Sequence, residues 1–243
     1  MVYPQIKITG DTSLAILFGN EISEDINIQI RAFDEALNDE QIDGIYETVP
    51  TYCALTIHYA PEKIRYEELR ERLEALLAVS HKAQKMNTIV MEIPVLYGGE
   101  FGPDIEYVAE YNHITPEEVI KIHTEAEYLI YMLGFTPGFS YMGGMSEKIA
   151  TPRLKTPRVL IPAGSVGIAG KQTGIYPIDS PGGWQLIGRT PVRLYDAERD
   201  NPILLDAGLH VKFVPVDEAE YQRILSRVEM GRYHCHTYVK ENV

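Results

Sequence analysis

Between Phe135 and Tyr195 the chain holds 10 of its 19 glycines and 7 of its 15 prolines. A glycine inside a helix costs about 1 kcal/mol relative to alanine and a proline about 3 kcal/mol, so this density excludes helices. Short strands joined by tight turns remain. The apolar runs Val159-Leu160-Ile161, Ile175-Tyr176, Gln185-Leu186-Ile187 and Val192-Arg193-Leu194 lie between the breakers and predict a β-barrel or sandwich. Leu204-Leu205 and Val211 to Val214 add late strands. Asp217 opens a terminal helix with Tyr221, Ile224 and Leu225 on one face. Ahead of the segment, Asp104 is placed to cap a helix through Tyr111. Thr115-Pro116-Glu117-Glu118 reads as a capping box with proline at the first helical position, starting a helix that reaches Glu125.

The first ninety residues follow a different grammar. Leu14, Ile16 and Phe18 alternate along one strand, and Leu55, Ile57 and Tyr59 along another. Ser23 is placed to cap a helix with the stripe Ile26, Ile30, Phe33 and Leu37. A second helix carries Tyr66, Leu69, Leu73 and Leu76 inward and Glu/Arg pairs outward. Thr88 to Val95 reads as a third strand closing this unit as a small α/β sandwich of split βαβ type. The expectation is an α+β chain of two domains, 1–90 and 91–243, with the hinge near 85–98.

A net charge of −13 argues against nucleic acid as a partner. No run of 18 apolar residues occurs, so no membrane span is expected. No signal-peptide pattern opens the sequence, and Cys53 and Cys235 form no redox or metal pair, so a cytoplasmic protein is expected. The charge is uneven. Residues 135–195 carry seven Lys/Arg against Glu147 and Asp179, a balance of +5. Such an island suits either a small anionic ligand or a charge-balanced partner surface.

Known glycine-rich chemistry does not fit. In Gly164 to Thr173 five residues rather than four separate Gly164 from Gly170, and Gln172 follows Lys171 where a P-loop has Ser or Thr. No G-x-G-x-x-G is present, and Gly138-Phe139-Ser140-Tyr141-Met142-Gly143 misses the nucleophile elbow by one position. His234-Cys235-His236 lacks further ligands at zinc spacing, so no metal is expected. The chain therefore reads as contributing part of a site. His113, His123 and His210 are the histidines nearest the segment, and His123 leads directly into it. Trp184, the only tryptophan, is either a barrel plug or a wall of a ligand groove.

Three blocks carry a resemblance. Tyr131 to Gly144 (YMLGFTPGFSYMGG) is the first. Thr156-Pro157-Arg158 with Ile161 to Gly170 (IPAGSVGIAG) is the second. Gln172 to Pro177 (QTGIYP), Ser180 to Trp184 (SPGGW) and Ile187 to Pro191 (IGRTP) form the third. In this order and spacing the chain resembles the KipI / PxpB family, which includes 5-oxoprolinase B-subunits and proteins named for part of allophanate hydrolase, with carboxyltransferase subdomain C/D. Lys171 stands where the family more often has Gly or Asn, and Leu204 to His210 replaces its "LLxPGDxV" turn.

The resemblance implies an N-terminal ferredoxin-like α/β sandwich and a C-terminal cyclophilin-like β-barrel. It implies two partners, a homologue of KipA (the 5-oxoprolinase C-subunit) and a homologue of the 5-oxoprolinase A-subunit. With them the chain would be one component of an ATP-using hydrolase that opens 5-oxoproline to L-glutamate, inactive alone, with ATP used by the complex. An alternative role within the family is a regulatory module that docks on a sporulation histidine kinase. For a small anionic substrate, Arg158 and Arg189 are the expected clamps. Gln172, Thr173 and Gly174 would orient the amide, Tyr176 and Trp184 shape the wall, and His123 carry a proton.

Overall fold

In a computed structural model of the chain, residues 3–79 and 88–240 are described. The chain separates into two compact units, Met1–Met86 and Asn87–Glu241. The expected hinge near 85–98 lies partly outside the described residues.

The first unit runs β1 (Gln5–Gly10), β2 (Ser13–Leu17), α1 (Glu24–Asp39), β3 (Ile45–Pro50), β4 (Ala54–Tyr59) and α2 (Tyr66–Val79). Its sheet has the order β1-β2-β4-β3, every neighbouring pair antiparallel. Strands β2 and β3, joined by α1, therefore run parallel with β4 between them, a split βαβ arrangement. The core is the one the periodicity predicts: Leu14, Ile16, Leu55 and Ile57 from the sheet meet Ile30, Phe33, Leu69 and Leu73 from the helices, each at most 1% exposed. In α2 the buried residues are Leu69, Leu73 and Leu77, with the expected Tyr66 and Leu76 partly buried and packed beside them.

The sandwich is not closed by Thr88 to Val95 as expected. That strand, β5 (Thr88–Tyr97), belongs to the second unit, and β1 takes the outer place beside β2. An alternating pattern records which side of a strand faces a core, not which sheet it joins.

The second unit continues with α3 (Ile105–Asn112), α4 (Pro116–Glu125), β6 (Glu127–Leu133) and β7 (Ser140–Gly143). The glycine-rich segment then forms β8 (Arg158–Ile161), β9 (Ser165–Ala169), β10 (Gln172–Ile175), β11 (Ser180–Gly182) and β12 (Gln185–Arg189). It ends with β13 (His210–Pro215), α5 (Glu218–Glu229) and β14 (Thr237–Lys240). Eight strands form one sheet, in the order β10-β9-β12-β5-β13-β6-β7 with β14 also on β5. Only the β5–β13 pair is parallel. The ends of this order approach each other, since a Cβ at Gly174 of β10 would lie 3.4 Å from the Ser140 carbonyl of β7. The sheet is thus a nearly closed barrel. Strands β8 and β11 form a separate two-stranded ribbon.

The capping box at Thr115 is complete: Glu118 N donates to Thr115 Oγ1, and Thr115 N donates to the Glu118 carboxylate. Asp104 stands at the N-cap of α3 but makes no cap hydrogen bond. Its carboxylate is used elsewhere, as described below. Val192 to Leu194 and Leu204 to Leu205 are not strands; the nearest pairing is an isolated bridge between Tyr195 and Ile203. These runs are apolar because Val192, Leu194 and Leu205 are buried in the core from irregular backbone.

Candidate functional site

The first of the three sequence blocks contains a tight turn. Phe139 N donates to the Thr136 carbonyl at 3.0 Å, with Pro137 and Gly138 (φ +80°) at the centre, the residue order of a type II turn. Phe135, just before it, also has a positive φ of 67° and an exposed ring. Such a backbone is uncommon for a bulky residue. The turn delivers Phe139 into a cluster with Tyr176 and Trp184, whose rings meet edge to face at centroid distances of 5.8 to 6.1 Å. Tyr141 adds a fourth ring, 5.2 Å from Phe139.

These rings enclose a pocket of about 190 Å³, lined also by Phe135, Arg153, Pro181, Gly182 and Gly183. Phe139, Tyr176 and Trp184 are nearly buried and form a fixed wall. Gly182 is required here because a Cβ would strike the Tyr176 hydroxyl. Burial pushes the Tyr176 phenol up, opposed by a hydrogen bond with the Trp184 backbone and by the charges of Arg153 and Arg158. Trp184 packs in the cluster with Phe139, Ile161 and Tyr176, apart from the barrel core, and lines the pocket.

Arg153 is the cation of the pocket. Its neighbours are pinned: Leu154 N donates to the Gly183 carbonyl at 2.7 Å, and Gln185 Nε2 donates to the Pro152 carbonyl at 2.8 Å. The two arginines expected as clamps are placed otherwise. Arg158 Nη2 donates to Asp104 Oδ1 at 2.7 Å and Nη1 to the Trp184 carbonyl at 3.3 Å. Asp104 Oδ2 accepts from Leu186 N at 2.6 Å, so this half-buried pair ties α3, β8 and β12 behind the pocket. Arg189 lies over the Phe101 ring, 5.4 Å from its centroid, away from the pocket lining.

His123 is fully buried. Its Nε2 lies 2.8 Å from Thr173 Oγ1 and its Nδ1 lies 2.8 Å from the Tyr97 hydroxyl. The Thr173 hydroxyl has one hydrogen, donated to the Gly167 carbonyl at 3.1 Å, so it accepts from Nε2–H. Nδ1 then carries the lone pair and accepts from Tyr97. Phe213 stacks on the imidazole at 4.4 Å. Burial lowers the His123 pKa from 6.5 to about 3 and raises that of Tyr97 well above its usual value. The expected proton carrier is therefore a neutral imidazole fixed in the core, bonded to Thr173 of β10, and outside the pocket lining. Thr173 and Gly174 are themselves buried on β10, with Gly174 packed against the Trp184 ring; Gln172 is half-buried and opens the same strand.

Among the described residues lining the pocket there is no carboxylate and no imidazole. The arrangement can bind and orient a planar anionic group, with its charge on Arg153 and its ring between aromatic faces. Sequence reasoning counts Arg153 in the positive island but does not place it at the site, and it passes over Phe135, Phe139 and Tyr141. The density of rings in Phe135 to Tyr141 is the signal that could have found them. Cys53 and Cys235 are both free, and burial pushes the Cys235 thiol up to about 11. No group of three or more metal-ligating side chains occurs among the described residues, and none of their helices is long and apolar enough to cross a membrane.

Comparison with known proteins gives a consistent answer. The B-subunit of 5-oxoprolinase from Bacillus subtilis (strain 168) is 47% identical over 227 residues, 89% of this chain and 95% of that protein. A crystal structure of a conserved uncharacterized protein from Pyrococcus horikoshii is 49% identical, with 89% of this chain and 100% of that chain covered and a TM-score of 0.54. The urea amidolyase of K. lactis shares the fold, with a TM-score of 0.78 at 21% identity, over 98% of this chain and 16% of that one. The model of the family described as "Carboxyltransferase domain, subdomain C and D" matches residues 4–205. The chain belongs to this carboxyltransferase domain family.

Proposed function

We propose that the chain is the B-subunit of an ATP-dependent 5-oxoprolinase, acting with A-subunit and C-subunit homologues to convert 5-oxoproline to L-glutamate. The observation that carries this reading is the 47% identity to the Bacillus subtilis B-subunit across 89% of this chain. On this reading the first unit is a ferredoxin-like sandwich in permuted form, supported by its split βαβ sheet with β1 in the outer place. The second is a cyclophilin-like barrel, supported by its nearly closed eight-stranded sheet. The protein works in the cytoplasm, where its two thiols stay free.

A lactam carbonyl is a poor electrophile. Phosphorylation of the amide oxygen, with ATP consumed by the complex, turns that oxygen into a leaving group. Water then adds to the carbonyl carbon, the ring C–N bond breaks to release the amine and leave a carboxyl phosphate, and a second water displaces inorganic phosphate to give the free carboxylate. In this chain Arg153 binds the substrate carboxylate, and Phe139, Tyr176 and Trp184 hold the flat five-membered ring. Arg158 and Gly174 hold the Trp184 wall, Thr173 ties β10 to the core, and Gln172 and Arg189 stand outside the pocket lining. His123 is a positioning residue that holds β10 through Thr173. A fixed charge and fixed rings act without reorganisation as the reaction proceeds. The groups that move protons come from the partner proteins, which fits a pocket lined without acid or imidazole.

The test is glutamate production from 5-oxoproline and ATP by purified A-subunit and C-subunit homologues, with and without this chain. Formation that depends on the chain is expected. An equal rate without it would end the proposal.

A further inference from the structure

We propose that the β8–β11 ribbon is a docking arm, seated in an apolar groove with an acidic rim on the partner protein that covers the aromatic pocket. The proposal rests on the B-subunit reading and adds where the partner binds.

Arg158 pairs with Gly182 and Ile161 with Ser180, so three residue steps on β8 face two on β11. The extra residue makes a bulge at Val159–Leu160, opposite Pro181, which has no N–H to offer the ladder. Both side chains turn outward: Val159 is 91% exposed and Leu160 59%. Adjacent aliphatics in one short strand gain nothing from this exposure in the chain alone. Among the described residues the ribbon has two strands and the outer edge of each has no strand beside it, the kind of edge that natural proteins cover.

The arm is held firmly at both ends. Ile161 is fully buried in the cluster with Tyr176, and Arg158 is tied to Asp104. Docking would therefore order little new structure. Its charge selects the partner. Lys155 precedes the bulge, is exposed, and forms no ion pair among the described residues, while Arg153 lines the pocket. An apolar groove with a carboxylate at its rim complements Lys155. Pro181, Gly182 and Arg153 also line the pocket, so whatever covers the arm covers the pocket mouth. In the K. lactis urea amidolyase the matched region is 16% of the chain, so the same fold there adjoins further polypeptide.

The experiment measures binding of the full chain to the purified C-subunit homologue by isothermal titration calorimetry. It compares wild type, Val159→Asp/Leu160→Asp, Lys155→Glu, and the control Val239→Asp on exposed β14. Thermal melts check each fold. The arm variant is expected to weaken binding about tenfold or more, while Val239→Asp binds as wild type. Lys155→Glu is expected to weaken it about threefold and to flatten its dependence on salt. Wild-type binding with an unaffected arm variant overturns the arm and leaves the B-subunit reading standing. Absence of wild-type binding overturns the B-subunit reading and the arm with it. Self-association of the chain that the same variant abolishes, with binding to the C-subunit homologue unchanged, also overturns the proposal.

Discussion

Two polar features of the barrel unit, Arg153 and His123, differ in one respect that decides what each can do. Arg153 stands in an open pocket on a backbone pinned at both neighbours, with its charge free for a ligand. His123 lies in the core with both nitrogens satisfied and is held neutral. By residue type the histidine is the better candidate catalyst, yet a buried imidazole with no open face cannot meet a substrate. Access and solvation outrank residue identity.

The largest expected effect is on stability. His123→Ala leaves a core void and strands the Tyr97 hydroxyl, costing about 3–5 kcal/mol by urea denaturation. If it costs under about 1 kcal/mol, the buried network is not what holds β10. The same residue gives a pH signature. Its pKa falls from 6.5 unfolded to about 3 folded, so between these values the unfolded chain binds more protons. Stability from this group is full above pH 6.5 and declines as pH falls toward 3, with a slope approaching about 1.4 kcal/mol per pH unit. Difference curves of wild type against His123→Gln should show that slope.

Arg153→Ala should act in the opposite sense, with melting unchanged and glutamate formation in the reconstituted assay reduced by about 10- to 100-fold. Arg158→Ala sharpens the contrast. It leaves Asp104 part-buried without its cation and should cost about 1–3 kcal/mol of stability along with activity. A smaller effect is expected at the turn: Gly138→Ala forces a positive φ on alanine, costing about 1 kcal/mol and shifting Phe139 in the pocket. Lys171→Ala, which removes an exposed pair with Glu147, should leave both melting and turnover unchanged.

Much of this is legible in the residues. Helices α1, α2 and α5 show most of their buried stripes and α4 and α5 their caps, whereas Ser23 stands at the N-cap of α1 without a side-chain cap hydrogen bond; the glycine-rich segment shows strands and turns. Strands β1 and β3 escape the pattern because they are the outer strands of their sheet, with no fully buried face to set an alternation. Apolar runs mislead in both directions. Val192 and Leu194 are buried without lying in a strand, while Val159 and Leu160 lie in a strand without being buried. An apolar run reports a preference for burial, and pairing is a separate matter of backbone geometry.

The sequence by itself determined the two grammars of the chain, the positions of most helices, the strand-and-turn character of the glycine-rich segment, and the blocks that place the chain in its family. Only the tertiary structure decided that β5 joins the barrel, that Asp104 serves Arg158 and Leu186 rather than its own helix, and that Arg153 is the cation at the pocket. The physical reason is range. Periodicity and capping act within a few residues, whereas these outcomes depend on contacts such as Asp104 with Leu186, 82 residues apart, and His123 with Thr173, 50 apart. No local pattern encodes which distant backbone will close on a side chain.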